Sequence, residues 1–207
     1  MESRSLSAVL FDVDGTLMDT NYLHSVAWWE AFRQMGHTVA TASIHRAIGM
    51  GADRLLEHLL GKNRDRDEDA AISTAHQVLY AQYFSRLTPL EGAADLLREC
   101  ASRGWKVVLA SSAQSKELGA MREALGADDA ITAVTCADDV KASKPAPDLV
   151  ETALKRAAVP ADRAVFIGDT VWDVQACRLG AGATAVYQGP SDLPSHIDDS
   201  LLASPGQ

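Results

Sequence analysis

Short apolar runs separated by longer stretches of helical periodicity constrain this chain more than any other feature. The runs are 8–12 (AVLFD), 106–110 (KVVLA), 131–134 (ITAV), 164–167 (AVFI) and 184–187 (TAVY). Apolar runs this short suit strands buried on both faces. Between them lie helical patterns at 93–103, 116–125, 148–158 and 173–179, with Gly104, Gly126 and Gly180 just past three of them. A glycine in that place is a helix stop signal, because it accepts the left-handed backbone of a C-terminal cap. Strand and helix in alternation predict an α/β fold, a doubly wound parallel sheet with helices on both faces.

One stretch breaks the alternation. From residue 21 to about 87 only helical patterns occur. Tyr22, Val26, Trp29 and Phe32 form one stripe, Leu55, Leu56, Leu59 and Leu60 a second, and Val78, Leu79, Tyr83 and Phe84 a third. Such spacing marks the apolar face of a helix. The expected organisation is an α/β core from 1–19 and 89–207, interrupted by an α-helical domain at 20–88. Asp19 and Thr20 are expected to open its first helix. Trp28 and Trp29 are read as core or interface residues, and the mixed charge run 62–69 as a solvated turn. The polar tail 189–207 is expected to be loosely held.

The chemistry sits where strands end. The first run leads into Asp12-Val13-Asp14-Gly15-Thr16. In an extended chain alternate side chains share a face, so Asp12 and Asp14 point one way and Val13 into the core. Gly15 then permits a sharp turn. The second run leads into Ser111-Ser112, and the fourth into Gly168-Asp169-Thr170 with Asp173 one turn on. Lys144 lies in Ser143-Lys144-Pro145-Ala146-Pro147, a loop stiffened by prolines. In open α/β sheets, ligands bind beyond the carboxyl ends of the strands.

Asp12, Asp14, Asp169 and Asp173 gathered at that edge would repel one another unless a cation intervenes. Oxygen ligands with room for water and phosphate suit Mg²⁺ better than Ca²⁺ or Zn²⁺. A carboxylate accepts a phosphoryl group to give an aspartyl-phosphate that water hydrolyses. Such transfer needs mainly positioning and charge neutralisation, for which Lys144, the Ser111 hydroxyl and neighbouring N–H groups are placed. Asp14 is placed to protonate the departing oxygen and later to deprotonate water.

Composition narrows the partners. The chain has 207 residues, with 19 Lys and Arg against 28 Asp and Glu, a formal net charge of −9. That balance disfavours nucleic acid, while a bound cation still admits a small anion. Cys100, Cys136 and Cys177, odd in number, read as reduced core thiols. The first apolar run is too short for a signal peptide and no stretch approaches a membrane span, so a cytoplasmic protein is expected. A monomer or weak homodimer is expected, with no membrane partner.

These residues resemble the haloacid dehalogenase superfamily from the first strand to about Gly182. Its four motifs occur in order as Asp12-Val13-Asp14-Gly15-Thr16, Ser111, Lys144, and Gly168-Asp169 with Asp173. The resemblance implies a Rossmann-like core, Asp12 as nucleophile, Asp14 as acid and base, and Ser111 and Lys144 as phosphate binders. It implies a Mg²⁺ held by Asp12 and Asp169, helped by the Asp14 carbonyl and supported by Asp173. Ser112, Gly15 and Thr16 join the phosphate-binding set. The helical insertion resembles the cap of the phosphoglycolate-phosphatase and β-phosphoglucomutase branch, where His24 falls at a cap-hinge histidine. Arg46 and the Gly49/Gly51 pair are read as a substrate-facing cap loop, the alternative being a helix-helix turn. An acid at position 14 favours phosphate esters over dehalogenation or phosphonate cleavage, and 46–53 lacks the arginine that mutases place shortly after the first glycine of that segment. A short stretch after Asp173 implies a shortened sheet edge. The expected function is Mg²⁺-dependent hydrolysis of a small phosphorylated metabolite. The alternatives are a sugar phosphomutase and a catalytically idle phosphate- or partner-binding module.

Overall fold

The computed structural model describes residues 6–180 and 183–186. Five parallel strands form one sheet: β1 (Ala8–Phe11), β2 (Lys106–Ala110), β3 (Ala133–Thr135), β4 (Ala164–Gly168) and β5 (Ala183–Val186), in the order β3-β2-β1-β4-β5. Parallel neighbours require crossovers, and four helices supply them: α5 (Ala93–Ser102), α6 (Ser115–Leu125), α7 (Asp148–Ala157) and α8 (Val171–Gly180).

Alternation along the strands assigns helices to faces. Val9, Phe11, Val107, Leu109, Val165 and Ile167 point to the α5 and α6 side, meeting Leu96, Leu97, Leu118 and Met121. Ala8, Leu10, Val108, Ala110 and Phe166 point to the other, meeting Leu149, Val150 and Ala153 of α7 and Ala176 and Cys177 of α8. Both faces are dry, which is why the strands read as unbroken apolar runs. This is the expected Rossmann-like α/β sandwich. Cys100, Cys136 and Cys177 are buried thiols within it.

The remaining helices are α1 (Asn21–Gln34), α2 (Thr41–Ala47), α3 (Ala52–Leu60) and α4 (Asp69–Ala81). They surround a core of their own that includes Trp28, Phe32, Ile44, Leu55, Leu56 and Ile72. The chain leaves and re-enters the sheet along two adjacent passages. Asp19 N–H donates to the Thr88 carbonyl at 3.0 Å, and Leu90 N–H to the Leu17 carbonyl at 2.9 Å. Among the described residues, no helix is long and apolar enough to cross a membrane.

Several expectations need correction. In α1 the stripe Tyr22, Val26 and Trp29 faces outward, at 71%, 49% and 36% exposure. The buried face is His24, Ala27, Trp28, Ala31 and Phe32. His24 must face Asp14, and that contact turns the larger side chains to solvent, where Trp29 lies under the Arg33 guanidinium. In α4 the buried residues are Ile72, His76 and Tyr80, Val78 is exposed, and the helix ends before Tyr83 and Phe84. Helix α2 carried no apolar stripe strong enough to be recognised. Strand β3 begins two residues later than expected, because a 3-10 turn at Asp128–Ala130 delays entry into the sheet. Helix α8 starts two residues earlier and includes Gly180. A shortened sheet edge was expected after Asp173, and a fifth strand nevertheless pairs with β4 along four residues. Tyr187 and the tail 189–207 lie outside the described residues.

Candidate active site

The sheet delivers its polar residues to one edge. Asp12 directly follows β1, and its N–H continues the ladder by donating to the Ile167 carbonyl at 2.9 Å. Ser111 follows β2 in the same way, its N–H donating to Thr135. Asp169 follows β4, and Asp173 occupies the first turn of α8. Lys144 arrives from the loop after β3.

Lys144 is fully buried and joins two of these acids. Its Nζ lies 2.5 Å from Asp12 Oδ1 and 2.8 Å from Asp173 Oδ1. Asp173 Oδ2 accepts from the Thr170 N–H at 3.0 Å and the Thr170 hydroxyl at 2.6 Å. Asp169 accepts from Asn21 Nδ2 at 2.8 Å and from the Thr16 hydroxyl at 3.2 Å. Gly15 has φ +76°, and a Cβ there would lie 2.0 Å from Asn21 Nδ2 and 2.3 Å from Asp169 Oδ2. The turn therefore needs glycine both for its backbone and for space.

Burial opposes charge throughout this cluster. It pushes the Asp12 carboxyl up, against the pull of Lys144, and Asp173, Asp169 and Asp14 push the same way. It pushes Asp169 up as well, against the Asn21 hydrogen bond. For Lys144, burial would lower the ammonium, but Asp12 and Asp173 outweigh it and hold the charge above the ordinary lysine range. Asp12, Asp169 and Asp173 each offer an oxygen, all within 4.8 Å of one another. Three carboxylates sharing one lysine leave a net negative pocket, and an oxygen-only donor set of this kind fits a hard divalent cation.

Asp14 is treated differently. Its carboxylate stands apart from that trio and accepts from Thr20 at 2.7 Å, His24 Nε2 at 3.0 Å and Ser111 Oγ at 3.4 Å. Burial would raise it, yet His24 and Thr20 outweigh burial and hold it below the usual carboxylate range. His24 Nδ1 in turn lies 3.1 Å from His76 Nε2. Burial would lower His24, but Asp14 raises it overall; His76 is pushed well below the ordinary range by burial and by His24. His24 stacks on Tyr80 and His76 on Trp28, with centroids 3.8 and 4.0 Å apart.

A cavity of about 310 Å³ opens over Asp12, Asp14 and Lys144. The loop after β2 lines it with Ser112, Ala113 and Gln114, whereas Ser111 is wholly buried beneath and accepts from the Ala113 N–H at 3.0 Å. The helical insertion supplies the opposite wall, and its 48–51 turn rests on the core. Gly51 N–H donates to Ser143 Oγ at 3.2 Å, and Ser112 Oγ donates to the Gly49 carbonyl at 3.2 Å. A Cβ on Gly51 would meet Ser143 Cβ at 2.4 Å, so this approach also depends on glycine. Ser143 Oγ further donates to Asp53.

Of the residues singled out from sequence, Asp12, Asp14, Gly15, Thr16, Ser111, Lys144, Asp169 and Asp173 converge here. Ser112 and His24 line the cavity. Arg46 does not. Its guanidinium is exposed beside Ser43, and only its backbone carbonyl reaches the core, accepting from Trp172 Nε1 at 3.1 Å. Sequence reasoning missed Asn21, His76 and Glu117, and assigned Thr20 to helix capping. Thr20 does hold the N-cap position of α1, but its hydroxyl serves Asp14 instead of the helix. The Gln114 and Glu117 pair, three residues apart, carried the signal of a capping box.

The chain resembles known proteins in sequence and in fold. A family model described as haloacid dehalogenase-like hydrolase matches residues 6–180. The chain is similar to Protein SUPPRESSOR OF QUENCHING 1, chloroplastic, of Arabidopsis thaliana, at 32% identity over 84% of this chain but only 17% of that protein. It is also similar to the N-acetylmuramic acid 6-phosphate phosphatase of Pseudomonas aeruginosa, at 28% identity over 95% of this chain and 89% of the relative. Among solved structures, a hydrolase from Pseudomonas syringae superposes with a TM-score of 0.83 at 29% identity, covering 97% of this chain and 90% of the other.

Proposed function

The chain belongs to the haloacid dehalogenase-like hydrolase family, and from that premise we propose that it is a Mg²⁺-dependent phosphatase of small phosphorylated metabolites. One observation carries the reading. Two acids two residues apart occupy opposite electrostatic settings: Asp12 pairs with a buried lysine inside an acidic cluster, and Asp14 is bound to a histidine outside it. A carboxylate paired with an ammonium is set up as a nucleophile, and one hydrogen-bonded to a histidine whose charged form it favours can pass on the proton that the pair holds. A relative named N-acetylmuramic acid 6-phosphate phosphatase supports the same phosphate-ester chemistry.

In the proposed reaction an Asp12 oxygen attacks phosphorus and the bond to the ester oxygen breaks. Asp14 passes the proton that it shares with His24 to that departing oxygen. The phosphoryl group is then on Asp12, and Asp14 takes a proton from the water that attacks it, regenerating the carboxylate and releasing phosphate. Lys144 orients Asp12 and offsets charge on the phosphoryl oxygens, while Ser111 and Ser112 shape the loop that receives them. Asp12 and Asp169 would hold Mg²⁺, with the Asp14 carbonyl and Asp173 in support. The cation would supply charge neutralisation to an otherwise anionic pocket. Residues 20–88 act as a cap that shields the site from bulk water and carries selectivity.

The test is phosphate release from p-nitrophenyl phosphate and a panel of phosphometabolites, with Mg²⁺ and with excess EDTA. Release with Mg²⁺, loss with EDTA and background turnover for Asp12→Asn are expected. Full activity in EDTA, or in Asp12→Asn, refutes the assignment.

A further inference from the structure

We propose that the cavity selects phosphomonoesters whose remaining part is uncharged and carries hydroxyl groups, and that Ser73, Gln77 and Glu117 read those hydroxyls. This rests on the phosphatase reading above and narrows its substrate class to sugar or polyol monophosphates without a second anionic group.

The charges around the cavity support the choice. Among the described residues no arginine lines it. Lys144 is committed to Asp12 and Asp173, and Lys141 is exposed. His24 is bound to Asp14. The acids Asp53, Glu117 and Asp138 line the same space. A carboxylate or second phosphate on the far end of a substrate would face three acids with one solvated ammonium as its counter-charge. Anion recognition ordinarily uses arginine forks or clustered cations, and neither exists here.

Neutral polar groups are available instead. Ser73, His76 and Gln77 project from α4 at spacings of three and four, so one face of that helix looks into the cavity. Among the described residues, Ser73 and Gln77 side chains have no hydrogen-bond partner. Across the space stands Glu117, only 7% exposed. One carboxylate oxygen receives the Gln114 N–H at 3.4 Å, and the other has no partner. A buried oxygen without a partner carries a desolvation cost that a hydroxyl donor would relieve. The volume of about 310 Å³ is at the small end of ligand cavities, suited to a compact polyol.

Glucitol 6-phosphate and 6-phosphogluconate provide a matched test, since one ends in CH₂OH and the other in a carboxylate on an otherwise alike chain. With p-nitrophenyl phosphate as reference, kcat/KM for glucitol 6-phosphate should exceed that for 6-phosphogluconate at least about tenfold. Gln77→Arg, which adds a cation to the insertion wall, should narrow that ratio about tenfold. Glu117→Met should reduce kcat/KM for glucitol 6-phosphate about tenfold more than for p-nitrophenyl phosphate. Hydrolysis of p-nitrophenyl phosphate with the acid equal or preferred, or with neither hexose compound cleaved, overturns the selectivity while leaving the phosphatase intact. Absence of Mg²⁺-dependent release from every ester, p-nitrophenyl phosphate included, overturns both.

Discussion

Lys144 is the side chain whose removal tests the electrostatic design most directly. It is fully buried, with both carboxylate partners buried as well. Replacing it by methionine keeps the bulk and deletes the charge. Asp12 and Asp173 are then left in a dry site with no ammonium between them. Breaking a buried pair from one side costs about 3–5 kcal/mol, most of it the stranded partner. For a chain of this size, about 2–4 °C of Tm accompanies each kcal/mol, so Lys144→Met should melt about 6–20 °C lower. Urea denaturation in EDTA measures the loss without interference from divalent ions. The same account requires that removing the stranded charge recover part of it. Asp12→Asn in the Lys144→Met background should restore about 1–3 kcal/mol, although activity stays at background. Asp12→Asn alone should cost less than Lys144→Met, because Asp173 still holds the lysine. A Lys144→Met protein within about 1 kcal/mol of the parent, or a double variant no more stable than the single one, refutes the reasoning.

Other outcomes follow from the same contacts. His76 sits below its unfolded value of about 6.5, so below that pH the unfolded chain binds a proton that the folded one refuses; stability falls toward acid by up to about 1.4 kcal/mol per unit. His24 sits above its unfolded value, and its contribution is present below about pH 6.5 and lost as pH rises through the folded pKa. Denaturation across pH 5–9 should show His76→Gln flattening the acid limb and His24→Gln the alkaline one; unchanged limbs contradict the pairing. Asn21→Ala removes the donor that orients Asp169 and should weaken the Mg²⁺ activation constant about tenfold or more, read from activity titrated against Mg²⁺. Gly15→Ala forces a Cβ into Asn21 and Asp169 and should lower both Tm and activity, with wild-type behaviour in both assays counting against the turn geometry.

Much of the fold was legible because burial on both faces leaves an unmistakable record. Strands β1, β2 and β4 are apolar at almost every position, and only helices on either side can cover such runs. The acids, lysine and serine of the site were legible for a related reason, since polar residues directly after buried strands must sit at the sheet edge. The faces of α1 and α4 were not. Counting large apolar residues favoured Tyr22, Val26 and Trp29, whereas the packed face contains two alanines and a histidine. Burial of His24 and His76 is decided by Asp14 and by one another, contacts between segments remote in sequence that no local period records.

Chemistry and selectivity therefore differ in how they are written into the chain. Any phosphate ester presents the same charge and the same breaking bond, so its handling forces particular residue types at particular strand ends. The rest of the substrate imposes no such pattern. Ser73, Gln77 and Glu117 are ordinary helix residues in sequence, and become informative only when two helices from different parts of the chain face one another across a cavity. What then distinguishes them is unmet hydrogen-bonding capacity in a place without arginine. The wall opposite the acidic cluster is thus suited to hydroxyls for the same reason that the cluster is suited to a cation: each supplies what the other side of the pocket lacks.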